Sequence, residues 1–272
     1  MLCLAGSPGF RAGWSTRAER ICALRSIAVA LARSREPARA AGIRQIVSAM
    51  VALAAAGIAT PSFAQVAVEG SLSSDYRVRG YSMSGGNPVA ALSLSYDHPT
   101  GFYLGATAVT TIRDGEPEIA AVQGAAGYAL RLDPDVSVDA GVSRSHYRHV
   151  YNSYYDLNYT ELYLGVSVPH FTARVNYSPD YSAQANSTLY AEAEMGFEPA
   201  QDWSLSAHVG LFSYLGASLR YLPNERYDWR VGASRRFGGT TVDFDVSGRL
   251  QGKSAGFATD SEAVVLRLAH AF

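Results

Sequence analysis

The stretch Glu262-Ala263-Val264-Val265-Leu266-Arg267-Leu268-Ala269-His270-Ala271-Phe272 decides how the rest of the chain is read. Val264, Leu266, Leu268 and Phe272 fall on one face of a period-2 strand, and Ala263, Arg267 and Ala269 fall on the other. An amphipathic strand with an aromatic last residue resembles the closing strand of an outer-membrane β-barrel, and that resemblance implies an assembly signal at Phe272 for the barrel-assembly machinery. His270 departs from that pattern, because it stands on the lipid side where an apolar residue is usual. One alternating strand does not separate a membrane barrel from a soluble sandwich, so the other end of the chain carries weight.

Residues 46–59 form a short apolar run behind Arg44, followed by Thr60, Pro61 and the small-residue site Ser62-Phe63-Ala64. A basic flank, an apolar core and small residues at the cut are the layout of a secretory signal peptide, with cleavage expected after Ala64. The core is shorter than the ~20 residues a spanning helix needs. Residues 44–64 are thus read as the signal and residues 1–43, arginine- and alanine-rich without pattern, as an extension outside the native protein, from a start codon set too far upstream; an organelle transit peptide is the other reading. The barrel is expected over residues 65–272.

That division changes the charge. Eight of the 23 basic residues and two of the 24 acidic ones precede Gln65, leaving 15 against 22 and a net charge of −7. An acidic chain argues against nucleic acid as a partner. Cys3 and Cys22 both lie in the leader, so neither a disulfide nor thiol chemistry is expected in the barrel.

After Gln65 no apolar run reaches helical membrane-spanning length, but alternation recurs. Val136, Val138, Ala140 and Val142 interleave with Ser137, Asp139, Gly141 and Ser143; Val242, Phe244 and Val246 interleave with Asp243, Asp245 and Ser247. One face is apolar and the other carries full charges, as in strands with lipid outside and water inside. Tight turns at 97–101, 133–135, 168–170, 198–202 and 238–239 alternate with longer connections. The strands predicted are 66–82, 88–97, 102–112, 118–131, 136–146, 157–168, 171–179, 188–197, 203–213, 226–237, 241–251 and 262–272. The fold class is all-β: an antiparallel up-and-down transmembrane barrel of about 12 strands, preceded by a cleaved signal peptide. Aromatic residues near both sets of strand ends fit two interfacial belts, with Tyr76, Tyr177, Phe212, Tyr227 and Trp229 on the external side.

Several stretches resemble one proteobacterial outer-membrane family, the TorF-type porins, also labelled Gcw_chp. Ser73–Ser82 (S-S-D-Y-R-V-R-G-Y-S) is similar to its opening motif and Asp97–Gly105 to its first hairpin. Tyr159–Ser167 with Asn176–Tyr181 (N-Y-S-P-D-Y), Trp229–Ser234 and the closing Ala271-Phe272 continue the resemblance over essentially all of 65–272. The resemblance implies an outer-membrane barrel and a pore, without naming a substrate.

The polar faces define the lumen. Arg174, Glu192, Glu194, Arg230, Asp243, Asp245, Arg249 and Arg267 are expected to form its charge network, as an electrostatic filter or as cross-strand pairs that stitch the wall. Asp75, Arg77 and Arg79 close the first predicted strand, and Tyr177, Asp180 and Tyr181 close the seventh. Strands 1 and 7 stand opposite in a twelve-stranded ring, so the two groups are expected to face each other across the mouth as a constriction. The alternative is that Tyr177-Ser178-Pro179-Asp180-Tyr181 only stiffens a loop. His146 and His149 lack a third ligand at usable spacing, and His208 beside Ser204 and Ser206 lacks a nucleophile elbow. No metal, cofactor or enzymatic activity is therefore expected. The expected function is a narrow passive channel for small hydrophilic solutes or ions in the bacterial outer membrane, in contact with its lipid. The alternatives are a closed structural or adhesive barrel and, third, an outer-membrane hydrolase.

Overall fold

A computed structural model describes residues 66–113, 115–150, 156–181, 186–215, 225–251 and 262–272. The proposed leader and its cleavage site lie outside the described residues. Twelve strands close into one antiparallel barrel: β1 (Val66–Ser73), β4 (Val89–Asp97), β5 (Phe102–Arg113), β6 (Glu116–Asp133), β7 (Val136–Tyr147), β8 (Leu157–Val168), β9 (Phe171–Tyr181), β10 (Asn186–Ala200), β11 (Trp203–Tyr214), β12 (Glu225–Phe237), β13 (Thr240–Gln251) and β14 (Ala263–Ala271). Two further short strands, β2 (Arg77–Val78) and β3 (Tyr81–Ser82), pair only with each other. Each barrel strand pairs with its sequence neighbours, and β14 closes the ring on β1 from Glu69↔Ala271 to Ser73↔Arg267. Full closure leaves no edge with unpaired backbone groups, which is what allows strands to stand in hydrocarbon.

The alternation read from the sequence sets which side faces out. Leu92, Leu94, Leu162, Leu164, Val264, Leu266 and Leu268 are all strongly exposed on the outer wall, and Leu164 is 65 % exposed. Water does not tolerate a continuous apolar wall of this extent on a monomer; acyl chains do. The five connections at one end are short: 98–101, 134–135, 169–170, 201–202 and 238–239. Gly238 takes φ +64° in the last of them, the left-handed conformation a two-residue hairpin turn demands. Phe102, Tyr128, Phe171, Phe197, Trp203 and Phe237 ring the wall at this end, with Arg235 stacked 5.1 Å from the Trp203 ring.

The first strand differs from its expected extent. It was predicted over 66–82, and it ends at Ser73, whose last partners are Val89 on β4 and Arg267 on β14. Residues 74–88 leave the wall at the long-connection end and fold into the lumen as a small hairpin, β2–β3. Met83 is buried there among Val89, Val109, Ala121, Tyr147 and Tyr159, which form the apolar core of the molecule. Tyr76 and Phe212, expected in the external aromatic belt, point inward: the Tyr76 hydroxyl donates to Gln123 Oε1 at 3.0 Å, and Phe212 is 4 % exposed.

All twelve wall pairings exclude residues 74–88, and Ser73 lies directly opposite Val89. Replacing 74–88 by a short Gly/Ser turn is therefore expected to keep the barrel closed. Far-UV circular dichroism checks this: an unchanged β-sheet spectrum is the expected result.

Candidate functional site

The hairpin is built from within. Arg77 pairs with Ser82 and Val78 with Tyr81, leaving Arg79-Gly80 as a two-residue turn. Both turn residues have positive φ, +50° for Arg79 and +73° for Gly80, so a non-glycine side chain is held in the left-handed region. Asp75 organises the base of the hairpin. Its Oδ1 accepts from Ser82 and Ser84 at 2.5 and 2.8 Å, and its Oδ2 accepts from Arg77 at 3.2 Å. Arg77 also donates to the Gly80 carbonyl at 2.5 Å, tying tip to base. Glycine at position 80 is required twice over: a Cβ there would sit 2.3 Å from Arg249 Cγ on β13.

Three groups bolt the hairpin to three parts of the wall. Tyr76 reaches Gln123 on β6, which in turn donates to the Tyr147 hydroxyl on β7 at 2.6 Å. Burial, reinforced by Tyr147, pushes the Tyr76 phenol well above its ordinary pKa, so it is neutral and able to donate. Tyr81 lies under the Arg249 guanidinium at 3.8 Å and accepts a hydrogen bond from Arg226 on β12 at 3.3 Å. Arg79 crosses the lumen to Glu161 on β8, donating from Nη2 to both carboxylate oxygens at 2.7 and 2.9 Å. The same guanidinium lies 4.0 Å from the ring centroid of Tyr190, 5.6 Å from Tyr159 and 5.9 Å from Phe212. Burial works against the charge on Arg79, but the surrounding phenols and the Glu161 carboxylate outweigh it and raise its pKa.

The structure brings only part of the expected mouth group together. Arg77 and Arg79 do point into the lumen, and Tyr181 joins the aromatic cluster, 4.6 Å from Tyr159 and 4.9 Å from Phe212. Asp180 does not face them. It stands on the outer wall, accepting from Arg144 at 3.0 Å and from the Thr160 backbone N–H at 2.8 Å. Tyr177 also faces outward. Tyr177 does so by simple alternation with Val175, whereas for Asp180 the reason is a bulge: Ser178 pairs with Thr188 and Tyr181 with Asn186, so β9 has one residue more than β10 between these pairs, and parity reverses around Pro179. Glu161, the actual partner, is 5 % exposed.

Below the hairpin the lumen opens into a cavity of about 990 Å3, which extends from Arg79, Tyr159 and Glu161 down to Glu69 and Ala271 near the tight-turn end. A second cavity of about 580 Å3 shares Glu192 and Glu194 with it and reaches His170 in the turn after β8. Of the residues expected in the charge network, Glu192, Glu194, Arg230, Asp245 and Arg267 line the larger cavity and Arg174 lines the smaller one. Arg174 pairs with Asp139 at 3.0 Å, Arg230 with Glu194 at 2.9 Å, and Arg267 with Asp243 at 2.8 Å and with Glu69. Glu192 accepts from Asn176, and Asp245 faces the cavity; neither has an ion pair among the described residues. Arg249 belongs to the hairpin's anchorage more than to the open lumen. His208 contacts Asp228 at 3.2 Å and the Tyr190 hydroxyl at 3.1 Å, and Ser204 bonds Ser234 on the neighbouring strand. His270 accompanies Phe272 at the rim, ring centroids 4.9 Å apart.

The family model for Gcw_chp, described as a bacterial protein of unknown function, matches residues 56–263. The chain belongs to the Gcw_chp family. No curated protein matches its sequence. Among solved structures, the NanC porin superposes with a TM-score of 0.49 at 12 % identity over 76 % of this chain and 98 % of its own. The KdgM porin gives 0.48 and 12 % over 76 % and 99 %, and LpxR from Salmonella typhimurium gives 0.43 and 11 % over 76 % and 99 %. The architecture of this Gcw_chp chain rests on its own strand pairing.

Removing one partner of the buried Arg79–Glu161 pair strands a charge, whereas the Arg144–Asp180 pair is solvent-accessible at both ends. Glu161→Gln is expected to destabilise the barrel by about 3–5 kcal/mol, and Asp180→Asn by no more than about 1 kcal/mol. Urea unfolding of the two variants in the same detergent checks the contrast.

Proposed function

We propose that this protein is an outer-membrane channel of the TorF porin type, passing small hydrophilic solutes through a lumen that its inward hairpin narrows. The observation that carries this reading is the 990 Å3 cavity, with Glu69, Glu192, Glu194, Arg230, Asp245 and Arg267 in its lining, inside a wall whose outer face is apolar. A structural barrel has no need to keep such a space, and filled lumens usually close by side-chain packing. In this reading the tight turns face the periplasm and the hairpin enters from outside, as the short-turn and long-loop asymmetry of such barrels dictates. Surrounding lipid and the assembly machinery, engaging β14, are the partners implied.

The lumen also favours one sign of charge. Arg174, Arg230 and Arg267 are each neutralised by a carboxylate, while Glu192 and Asp245 add negative charge that no arginine among the described residues pairs with. Rings of carboxylate in a narrow pore favour cations. A second reading, a closed structural barrel, is supported by the three-point anchorage of the hairpin.

Planar-bilayer recordings of the purified protein in a salt gradient separate the two. Small discrete steps with a cation-selective reversal potential are expected, together with several-fold larger steps when 74–88 is replaced by a short turn. Silence from both proteins, each shown to be folded, would favour the structural barrel.

A further inference from the structure

The surroundings of Arg79 have the composition of a receptor for its own side chain. A planar cation is held by one carboxylate, Glu161, and by the faces of Tyr190, Tyr159 and Phe212, with Tyr181 packed behind Tyr159 and Phe212. These five residues come from four wall strands, β8 to β11, and the cation comes from a separate hairpin that takes no part in the strand pairing of the wall. Aromatic faces around a carboxylate are how proteins recognise guanidinium and substituted ammonium ions, because a weakly hydrated cation gains from the ring quadrupoles what it loses in water. With Arg79 absent, Glu161 would be a carboxylate 5 % exposed with no other ion pair among the described residues, a state that burial opposes. Arg79, Tyr159, Tyr190 and Glu161 all line the large cavity, so a solute in the lumen can reach the cage from below. One guanidinium nitrogen, Nη1, is buried without a hydrogen-bond partner among the described residues, so the cage does not depend on a full set of arginine bonds.

We propose that this cage is a recognition site for guanidinium-bearing solutes, occupied in the resting barrel by Arg79 and taken by such a solute when the hairpin withdraws. The chain then carries its own competitor: the hairpin tip mimics the ligand, and ligand binding and hairpin release are the two sides of one exchange. The withdrawal deepens the channel reading and rests on it; binding at the cage does not.

The test is calorimetric titration of methylguanidinium into the purified protein in detergent, with sodium chloride at equal ionic strength as the blank. Arg79→Ala, confirmed folded by near-UV circular dichroism, is expected to bind saturably and about ten-fold or more tightly than the wild type, whose own arginine must first be displaced. The double variant Arg79→Ala/Glu161→Gln is expected to lose that binding. A folded Arg79→Ala protein that shows no saturable heat overturns the proposal, and so does equal binding by wild type, single and double variants, which places the ion elsewhere. If Arg79→Ala does not fold, Arg79→Gln takes its place, because its shorter neutral side chain keeps the hairpin packing and leaves the carboxylate free; the same two outcomes decide. Saturable binding by a variant that is silent in bilayers would uphold the site and remove the channel.

Discussion

A guanidinium crosses the bore of this barrel to a carboxylate on the far wall, and the state of the lumen follows from that contact. The Arg79–Glu161 pair sits where two charges are costly to desolvate, and a lone pair of ions in such a place tends to break even against apolar residues. Here the geometry is better than that. Two short hydrogen bonds meet one carboxylate, and the face of the guanidinium lies against Tyr190 at 4.0 Å, a contact worth about 2 kcal/mol or more when desolvated. Against this stands the left-handed backbone at Arg79, which costs on the order of 1–3 kcal/mol in a non-glycine residue. The balance favours the hairpin inside, by a margin small enough for a single partner change to move it.

The rest of the molecule divides into two layers of constraint that hardly interact. Outward side chains answer to lipid and are apolar with few exceptions; the Arg144–Thr160–Asp180 cluster is one, at the long-connection end where the interface allows charge. Inward side chains answer to one another. Gly210 is small because Tyr190 and Asp228 fill the space its side chain would take, with the Tyr190 hydroxyl 2.2 Å from the position of a Cβ. The lumen near the hairpin is therefore close-packed, and the same faces lower down, where no hairpin enters, leave the open cavity.

The wall was legible because period-2 alternation and turn chemistry are local properties. Tight turns at 133–135 and 238–239 and the longer connections between them gave the strand count and the parity of almost every strand, including β6 through Gln123–Gly127. The hairpin was not legible. Ser73–Ser82 alternates like a strand, and nothing local says that its hydrogen bonds leave the wall after Ser74. The signal available was length: seventeen residues for one crossing, against the ~10 a tilted strand needs, with Gly80 inside them. The choice of Glu161 over Asp180 as the partner of Arg79 was out of reach for a different reason. A one-residue bulge at Pro179 reverses which side Asp180 faces, and register at a strand end is set by the neighbour on β10, not by the sequence of β9.

Residues 74–88 lie inside the barrel, and the Arg79–Glu161 contact keeps them there. Met83, 3 % exposed at the core of that packing, reports on it directly. Labelling of a Met83→Cys protein with a bulky, charged thiol reagent is the measurement, made with and without Glu161→Gln in a background where Cys3 and Cys22 are serine. Negligible labelling is expected with Glu161 present, and rapid labelling once it is glutamine. Rapid labelling with Glu161 intact, in a protein of unchanged β-sheet content, would contradict it.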